Sequence, residues 1–246
     1  MAYRQKPGAI APTHGLWERP EPVKRPVPGP LSRDRIVRAA IAIADKEGLG
    51  GVSLRKVAAK LKAGPMRLYA YTSTKEGLLE LMVDEIFGEM VAAGPIRGDW
   101  RDILRSIAHR TRKVARQHDW FVVLLGGRIH LGPNALAYME ASLASLSGKR
   151  GFEGIDAVLQ AVETLNAYVI GAIHGEASEL RAELESGMNE REWQGATWPY
   201  LQRMISTGRF PMIARVVDEA KHPSFDAAFD RGLDCVIAGI EACLTH

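Results

Sequence analysis

Residues 60–82, KLKAGPMRLYAYTSTKEGLLELM, decide the fold of this chain, because two helical patterns meet there around a Gly-Pro step. Apolar residues recur at three- and four-residue spacing on both sides of the step, at Leu54, Val57, Ala58 and Leu61, and at Leu78, Leu79, Met82 and Ile86. The intervening piece, Pro65 to Tyr71, is too short to be a stable helix alone, so it needs support from both neighbours. It is also basic and aromatic, a composition that suits a backbone meeting phosphate groups.

Two further helices are predicted before this stretch. Ser32 has the position of an N-cap, and the helix that follows it ends at Gly48, where the apolar periodicity stops. Ser53 is the predicted cap of a second helix, Leu54 to Leu61. Three helices within about forty residues, with a tight Gly-containing turn before the third, form the layout of a helix-turn-helix DNA-binding motif.

A fourth helix is predicted to begin within Ser73-Thr74-Lys75-Glu76, which fits a capping box with Ser73 as the N-cap. Lys75 falls in the first turn of this helix, where the helix dipole disfavours a cation. The position becomes favourable when an anion such as a DNA phosphate lies alongside, so we interpret Lys75 as a phosphate contact. A solvated lysine is the alternative.

The charge of the chain is unevenly distributed. Through Lys75 there are 15 Lys and Arg against 5 Asp and Glu, and the remaining residues hold 17 against 24. The net charge of +3 therefore hides a basic first third and an acidic remainder. This asymmetry favours a nucleic-acid-binding head on a body that does not bind nucleic acid.

The rest of the chain is predicted to be helical throughout, which makes the fold all-α. Residues 1–30 hold seven of the thirteen prolines, and we expect a disordered arm there. The helix-turn-helix domain is placed at residues 31–77, and a larger helical domain at 78–246. Within the larger domain, helices are predicted near residues 99–118, 120–128, 133–147, 154–184, 196–205, 209–220 and 224–244.

Two of these helices have wide apolar faces, which are candidates for a subunit interface. The residues predicted to lie there are Val169, Ile170 and Ile173 in one helix and Leu233, Ile237 and Ile240 in the other. An intramolecular core is the alternative interpretation of the same pattern. Cys235 and Cys243 have neither a disulfide nor a metal-binding spacing, and we expect both to be small buried apolar residues.

Several classes of protein are excluded by motif. The longest apolar runs are far shorter than a membrane span, and no secretory signal is recognised, so a cytoplasmic location is expected. The sequence contains no HExxH, no GxSxG and no P-loop, and its histidines lack ligand spacing. We therefore expect no enzyme, no metal site and no cofactor.

The stretch SRDRIVRAAIAIADKEGLGGVSLRKVAAKLKAGPMRLYAYTSTKEGLLELM, residues 32–82, resembles the DNA-binding domain of the TetR family of bacterial transcriptional regulators. The likeness rests on the Ala-Ala core of the first helix, the Ser-x-Arg start of the second, and the Leu-Tyr pair of the third with the lysine that follows. Two later stretches, LGPNALAYMEASLASL and GIDAVLQAVETLNAYVIGAIHGEASE, are similar to the C-terminal domain of the tetracycline-repressor type.

The resemblance implies that the third helix enters the major groove and that the second helix crosses the DNA backbone. The DNA-binding residues expected on this basis are Ser53, Arg55, Lys56, Gly64, Pro65, Met66, Arg67, Tyr69, Tyr71 and Lys75. The side chain of Arg55 is able to fork onto guanine O6 and N7, and Met66 offers apolar surface to a thymine methyl. The hydroxyls of Tyr69 and Tyr71 are expected to meet phosphate oxygens, and a partly buried core position is the alternative for Tyr69. The turn departs from the common Leu-Gly-Val of the family and contains Lys62 instead.

The resemblance also implies an effector site in the larger domain. His130 aligns with a histidine that holds the metal-drug complex in the tetracycline repressor, whereas Gly175 replaces the metal-linked glutamate there. The expected ligand-binding residues are His130, Trp120, Phe121 and His174, without a metal. Trp193, Trp198 and Tyr200 supply further aromatic surface, although core packing is the alternative for the aromatic residues.

The function that follows is a DNA-binding transcriptional regulator. We expect a repressor that binds a double-stranded, pseudo-palindromic operator as a homodimer and is released by an apolar or aromatic small molecule. A ligand-independent DNA-binding protein is the alternative, because it needs the basic head but no effector site.

Overall fold

The computed structural model describes residues 31–127, 129–221 and 223–244, and within these ranges it consists of helices, turns and loops without a strand. The prediction of an all-α fold is confirmed. The predicted disordered arm, residues 1–30, lies outside the described residues.

The first four helices begin where small polar side chains cap them. They are α1 (Arg33–Gly51), α2 (Leu54–Lys60), α3 (Pro65–Leu68) and α4 (Lys75–Ala92). The Ser32 hydroxyl accepts a hydrogen bond from the backbone N–H of Arg35 at 3.3 Å, and the Ser53 hydroxyl accepts one from that of Lys56 at 3.2 Å. Both caps agree with the sequence prediction.

The cap of α4 differs from the prediction. Thr74, not Ser73, is the N-cap, and its hydroxyl accepts a hydrogen bond from the backbone N–H of Gly77 at 3.0 Å. A capping side chain accepts from the N–H of the second or third residue after it, and Gly77 is the third residue after Thr74. The start of α4 therefore falls within the predicted segment, shifted by one residue.

The first helices pack into one small core. Helix α1 contacts α2 and α4, and α2 contacts α3. Ile36 of α1, Val57 of α2, Leu68 of α3 and Leu78 of α4 are each completely buried. Since α3 has only four residues, these contacts hold it in place.

The next three helices are α5 (Trp100–Gln117), α6 (Asp119–Val122) and α7 (Pro133–Leu146). Helix α4 packs against α5 and α7, while α6 packs against α1 and α5. The helix predicted at 120–128 is much shorter than expected, because turns follow Val122 and Gly126 has a positive φ of 80°.

The chain divides after Val162 into two compact units, and the division falls inside α8 (Ile155–Ser186). The helix-turn-helix helices lie in the same unit as α4 to α7. Compactness therefore does not mark a boundary after residue 77, and the division of the chain at that residue stays a prediction about function.

The second unit contains the rest of α8 together with α9 (Glu190–Ser206), α10 (Pro211–Glu219) and α11 (Phe225–Leu244). Helix α9 begins earlier than predicted, because Asn189 and Glu192 form a capping box that the sequence analysis did not recognise. Helix α9 contacts α10, and neither helix has a fully buried residue.

The residues predicted to form the subunit interface are mostly buried within a single chain. Val169 and Ile173 of α8 are 1% and 4% exposed, and Leu233, Ile237 and Ile240 of α11 are 1%, 3% and 7% exposed; Ile170 is half-buried. These apolar stripes belong to the intramolecular core, so the placement of the interface on them is corrected. The hydroxyl of Tyr168 adds a hydrogen bond to the backbone carbonyl of Phe229, at 2.6 Å.

The cysteines are also placed differently from the prediction. Cys235 and Cys243 are both exposed on α11, so the expectation that they are buried is wrong. The eight-residue separation put both on one face of the helix, but periodicity alone did not show which face is covered.

Among the described residues, no helix is long and apolar enough to cross a membrane.

Candidate functional site

Helix α3 has a short, exposed surface, and the buried side chain of Leu68 holds the helix against the core. Leu68 is completely buried, whereas Met66 is 79% exposed and Tyr69 is 45% exposed. Gly64 is the N-cap, Pro65 occupies the first turn, and Arg67 is exposed on the same short helix. One apolar, one aromatic and one cationic side chain are thus displayed from a rigid position, as base-edge reading requires.

The start of α2, the helix that precedes α3 in the chain, is also exposed. Ser53 is used as the N-cap, and Arg55 in the first turn is exposed. Lys56 pairs with Glu47 of α1, and the hydrogen bond from Lys56 lowers the pKa of the Glu47 carboxyl. The charge of Lys56 is partly compensated by this pair, so Arg55 is the stronger candidate for a contact with DNA.

Lys75 has a structural partner that lies 26 residues earlier and that no local pattern predicts. Its Nζ donates a hydrogen bond to the backbone carbonyl of Leu49 at 3.0 Å, which joins the start of α4 to the end of α1. The ammonium group has three donors, so this bond leaves donors for a phosphate. The phosphate contact of Lys75 stays a prediction, now together with a role in holding α4.

Tyr71 has a different role from the phosphate contact expected for it. The side chain is 6% exposed, and its hydroxyl donates to the backbone carbonyl of Leu31 at 2.6 Å. A buried hydroxyl that already donates to a carbonyl does not reach DNA. Tyr71 instead attaches Leu31, two residues before the start of α1, to the segment that follows α3.

Replacing Tyr71 with Phe should lower the free energy of unfolding by about 1–2 kcal/mol, because a buried carbonyl loses its donor. Operator affinity should stay unchanged when it is measured well below the melting temperature. Chemical denaturation and a DNA-binding titration on the same preparation check both expectations. A loss of DNA affinity without a loss of stability would return Tyr71 to the DNA-binding surface.

Trp120 and Phe121 belong to the core of the first unit. Trp120 is 2% exposed, and its Nε1–H donates to Asp45 Oδ1 at 2.6 Å. His118 Nδ1 lies 2.7 Å from the same oxygen. Phe121 is fully buried and meets Phe87 edge-on, with ring centroids 5.8 Å apart. Core packing, the alternative kept open for these aromatic residues, is the arrangement found.

The link between Asp45, His118 and Trp120 was not recognised from the sequence. The aspartate lies in α1, while its two partners lie at the start of α6, 73 and 75 residues later. No spacing rule joins residues so far apart in a helical chain, and Asp45 alone has the pattern of a solvated residue. The link joins the helix-turn-helix head to α6 through one carboxylate.

His130 is partly buried beside α4. Its Nδ1 lies 3.2 Å from Glu80 Oε2, its Nε2 lies 3.4 Å from the backbone carbonyl of Leu124, and its ring centroid is 6.1 Å from that of Phe87. The hydrogen bond with Glu80 raises the pKa of His130 above the ordinary value of a histidine, although burial acts in the opposite direction. Only the protonated ring donates to both acceptors.

The raised pKa of His130 makes the stability of the protein depend on pH. The contribution is complete below the ordinary histidine pKa of about 6.5 and is lost as the pH rises through the raised value. The free energy of unfolding should therefore fall between pH 6 and pH 8 by more in the wild type than in Glu80→Gln. Denaturant titrations at both pH values check this, and equal slopes in the two proteins would contradict it.

Asp84 is a second acidic residue of α4 with an unexpected role. It is 5% exposed, and Oδ1 accepts the backbone N–H groups of Asn134 and Ala135 at 3.0 and 2.9 Å. Its Oδ2 accepts the side-chain amide of Asn134 at 3.1 Å. Burial raises the pKa of Asp84, and the three hydrogen bonds act in the opposite direction. The carboxylate thus caps α7 from a different helix.

The remaining predicted ligand residues are exposed. His174 lies on the outward side of α8, and Trp193, Trp198 and Tyr200 of α9 are 55%, 39% and 61% exposed. In the part of the chain that the structure describes, no three His, Cys, Asp or Glu residues are placed to hold a metal ion.

Comparisons with known proteins find a matching family model, curated relatives and similar solved structures. A family model described as the C-terminal domain of tetracyclin repressor-like proteins matches residues 94–244. The chain is 35% identical over 237 residues to the HTH-type transcriptional repressor DrrR1 of Streptomyces coeruleorubidus, covering 94% of this chain and 85% of that protein. It is also 35% identical over 246 residues to an HTH-type transcriptional regulator of Saccharopolyspora erythraea, covering 96% and 92%. Among solved structures, ActR of Streptomyces coelicolor in complex with actinorhodin is similar, with a TM-score of 0.70 and 27% identity over 87% of this chain and 97% of that one.

Proposed function

The chain belongs to the TetR family of transcriptional regulators, and we propose that it is a repressor that leaves its operator when a small molecule binds. It is a DNA-binding regulator of transcription. The two relatives that are 35% identical to it are named as an HTH-type transcriptional repressor and an HTH-type transcriptional regulator. Regulators of this family bind operators as dimers, and a pseudo-palindromic operator fits two copies related by a two-fold axis.

The exposed face of α3 carries the proposal. Met66, Arg67 and Tyr69 are displayed on it, while Leu68 fixes it to the core. We propose that Arg67 and Arg55 contact base edges in the major groove, and that the Tyr69 hydroxyl and Ser53 meet phosphates. The basic first third of the chain supplies the electrostatic attraction to DNA.

Selection of bound duplexes from a randomised library, with the full chain as bait, tests this function. Arg55→Ala and Arg67→Ala should each relax the preference at one base pair per half-site by about 1–3 kcal/mol. Arg191→Ala removes an exposed arginine from α9 and is the matched control, which should keep the wild-type preference. Failure of the wild type to enrich any sequence would overturn the proposed function.

We further propose that the effector site includes His130. The histidine is partly buried, and the ring of Phe87 and the carboxylate of Glu80 stand beside it, so an apolar ligand with one polar group finds both kinds of partner there. The response is expected to be independent of magnesium, because Gly175 stands where the resemblance places the metal-linked glutamate.

Actinorhodin, the ligand of the similar ActR structure, is the first probe for the effector response. It should be titrated against the operator complex with and without EDTA, using the wild type and His130→Ala. Release that is unaffected by EDTA and weakened by His130→Ala supports the proposed site. Release that requires magnesium would contradict it.

A ligand-independent repressor is the alternative. The observation that favours it is the burial of Trp120 and Phe121 in the core, which removes two of the aromatic residues expected to face a ligand. An operator complex that no small molecule releases, across a broad panel, would favour this alternative.

The subunit interface needs a new placement, because five of the six residues predicted to form it are buried within one chain: Val169, Ile173, Leu233, Ile237 and Ile240. We propose that two copies meet through the outward faces of the same helices, which carry small residues and allow close helix packing. These are Ala167, Gly171 and Gly175 of α8 and Cys235, Ala238, Gly239 and Ala242 of α11. Apart from the neighbouring backbone of its own helix, a Cβ atom added at Gly171, Gly175 or Gly239 would meet no described atom within 4 Å.

His174 lies on this outward face of α8 and is proposed here to meet the partner subunit instead of a ligand.

We propose no catalytic role for the chain, because the relatives are named as regulators. We propose that it acts in the cytoplasm, where bacterial DNA is located.

A further inference from the structure

The turn between α2 and α3 contains a strained lysine. Lys62 has a φ of 53°, and among the described residues it is the one position other than glycine with a positive φ. Its backbone N–H donates to the carbonyl of Ala59 at 3.0 Å, and the next N–H, of Ala63, donates to the carbonyl of Ala58 at 2.9 Å. These two bonds close the end of α2 and fix the left-handed conformation at Lys62.

Glycine is the residue that adopts this conformation without strain, because an L side chain there places its Cβ close to the following carbonyl oxygen. Asparagine is the next most tolerant residue, and lysine is not favoured. A strained residue that persists in a tight turn points to a use for its side chain. Packing does not explain it, because Lys62 is exposed.

The charge of Lys62 is the property that remains to be explained. Lys56 is paired with Glu47, and Lys75 donates to the carbonyl of Leu49, whereas no carboxylate of the described residues forms an ion pair with Lys62. The residue is two positions before Gly64, the N-cap of α3. An exposed cation is therefore held at the entry to the helix that reads the operator.

We propose that Lys62 binds a phosphate of the operator beside the groove that α3 enters, and that the left-handed turn is tolerated because it places this charge. The inference rests on the proposed function, since it requires that α3 faces DNA. The contact is independent of the base sequence, because a phosphate carries no sequence information.

Three proteins separate the charge from the strain: the wild type, Lys62→Gly and Lys62→Ala. Both variants remove the charge, but only glycine removes the strained side chain. The full chain should be titrated with its selected operator over a range of salt concentrations, and thermal unfolding should be recorded on the same samples.

Both variants should lower the slope of log K against log salt by about 1.8 per dimer, which is one phosphate per subunit. Their base preferences should remain those of the wild type. Lys62→Gly should melt about 2–4 °C above Lys62→Ala, because the strain is relieved in glycine alone.

An unchanged salt slope in both variants, with the operator still bound, would overturn the phosphate contact and leave the proposed function intact. Equal melting temperatures for Lys62→Gly and Lys62→Ala would overturn the strain argument. A wild-type protein that prefers no sequence would instead contradict the proposed function on which the inference rests.

Discussion

Replacing Ala238 with Glu should produce a folded monomer and lower operator affinity by a factor of about 10²–10⁴. Ala238 is exposed on α11, at the centre of the small-residue face that we propose as the subunit interface. A glutamate there meets solvent in one chain, but in the dimer it is forced between closely packed helices and loses its hydration. Each monomer then binds its half-site without the benefit of a linked partner.

Two control variants sharpen this experiment. Ala144→Glu places the same charge on an exposed position of α7 and should leave both the dimer and operator binding unchanged. Ile240→Arg alters a neighbouring residue of α11 that is 7% exposed within its own chain, so it should reduce stability by several kcal/mol instead of giving a folded monomer. Sedimentation and circular dichroism distinguish the three results. An Ala238→Glu protein that remains dimeric would remove this face of α11 from the interface.

The sequence located the apolar stripe of α11 correctly but not what covers it. Leu233, Ile237 and Ile240 follow helical periodicity whether they pack within one chain or against a second copy. Which of these two arrangements occurs depends on where α8 lies against α11 in the folded chain. Helical periodicity carries no information about that position. The small residues on the opposite side of α11 form no apolar stripe, so the sequence gives no sign that they could form an interface.

Structural roles that depend on neighbouring residues were predicted more often than roles that depend on residues far away in the chain. Ser32 and Ser53 were found as helix caps because a cap serves an N–H three residues away, within reach of a sequence pattern. The role of Tyr71 depends on Leu31, 40 residues earlier, and was therefore missed. Met66 and Arg67 were expected on the third helix from the resemblance of residues 32–82, and both side chains are exposed on α3.

The role of Asp84 was missed, because its partners are distant in the sequence and because the sign that α7 needs a cap was not used. As a single acidic residue among the apolar positions of α4, it has no partner within one helical turn, and its partners Asn134 and Ala135 lie 50 and 51 residues later. The start of α7 does carry a local signal. Gly132 has no side chain to cap the helix, and Pro133 has no N–H, so the donors of the next two residues need an acceptor from elsewhere.

Replacing Asp84 with Ala should lower the free energy of unfolding by about 3 kcal/mol. Two backbone N–H groups lose their acceptor at a site where the aspartate is 5% exposed, and each donor left without a partner costs about 1–3 kcal/mol. The favourable interaction of the carboxylate with the N-terminus of α7 is lost as well. Denaturant unfolding measures the effect, and because α4 also begins beside the helix-turn-helix, operator affinity should be recorded on the same samples.

Asp99 provides the matched control for this prediction. Its carboxylate accepts the backbone N–H groups of Arg101 and Asp102 at 2.8 and 3.0 Å, so it also serves two donors at a helix start. Asp99 is exposed, however, and water replaces the carboxylate when it is removed, so Asp99→Ala should be clearly less destabilising. Asp84→Asn keeps an oxygen for the two backbone donors but loses the charge and opposes its amide to that of Asn134, which predicts an intermediate stability. If Asp84→Ala destabilises the protein no more than Asp99→Ala, the buried carboxylate does not hold α4 and α7 together.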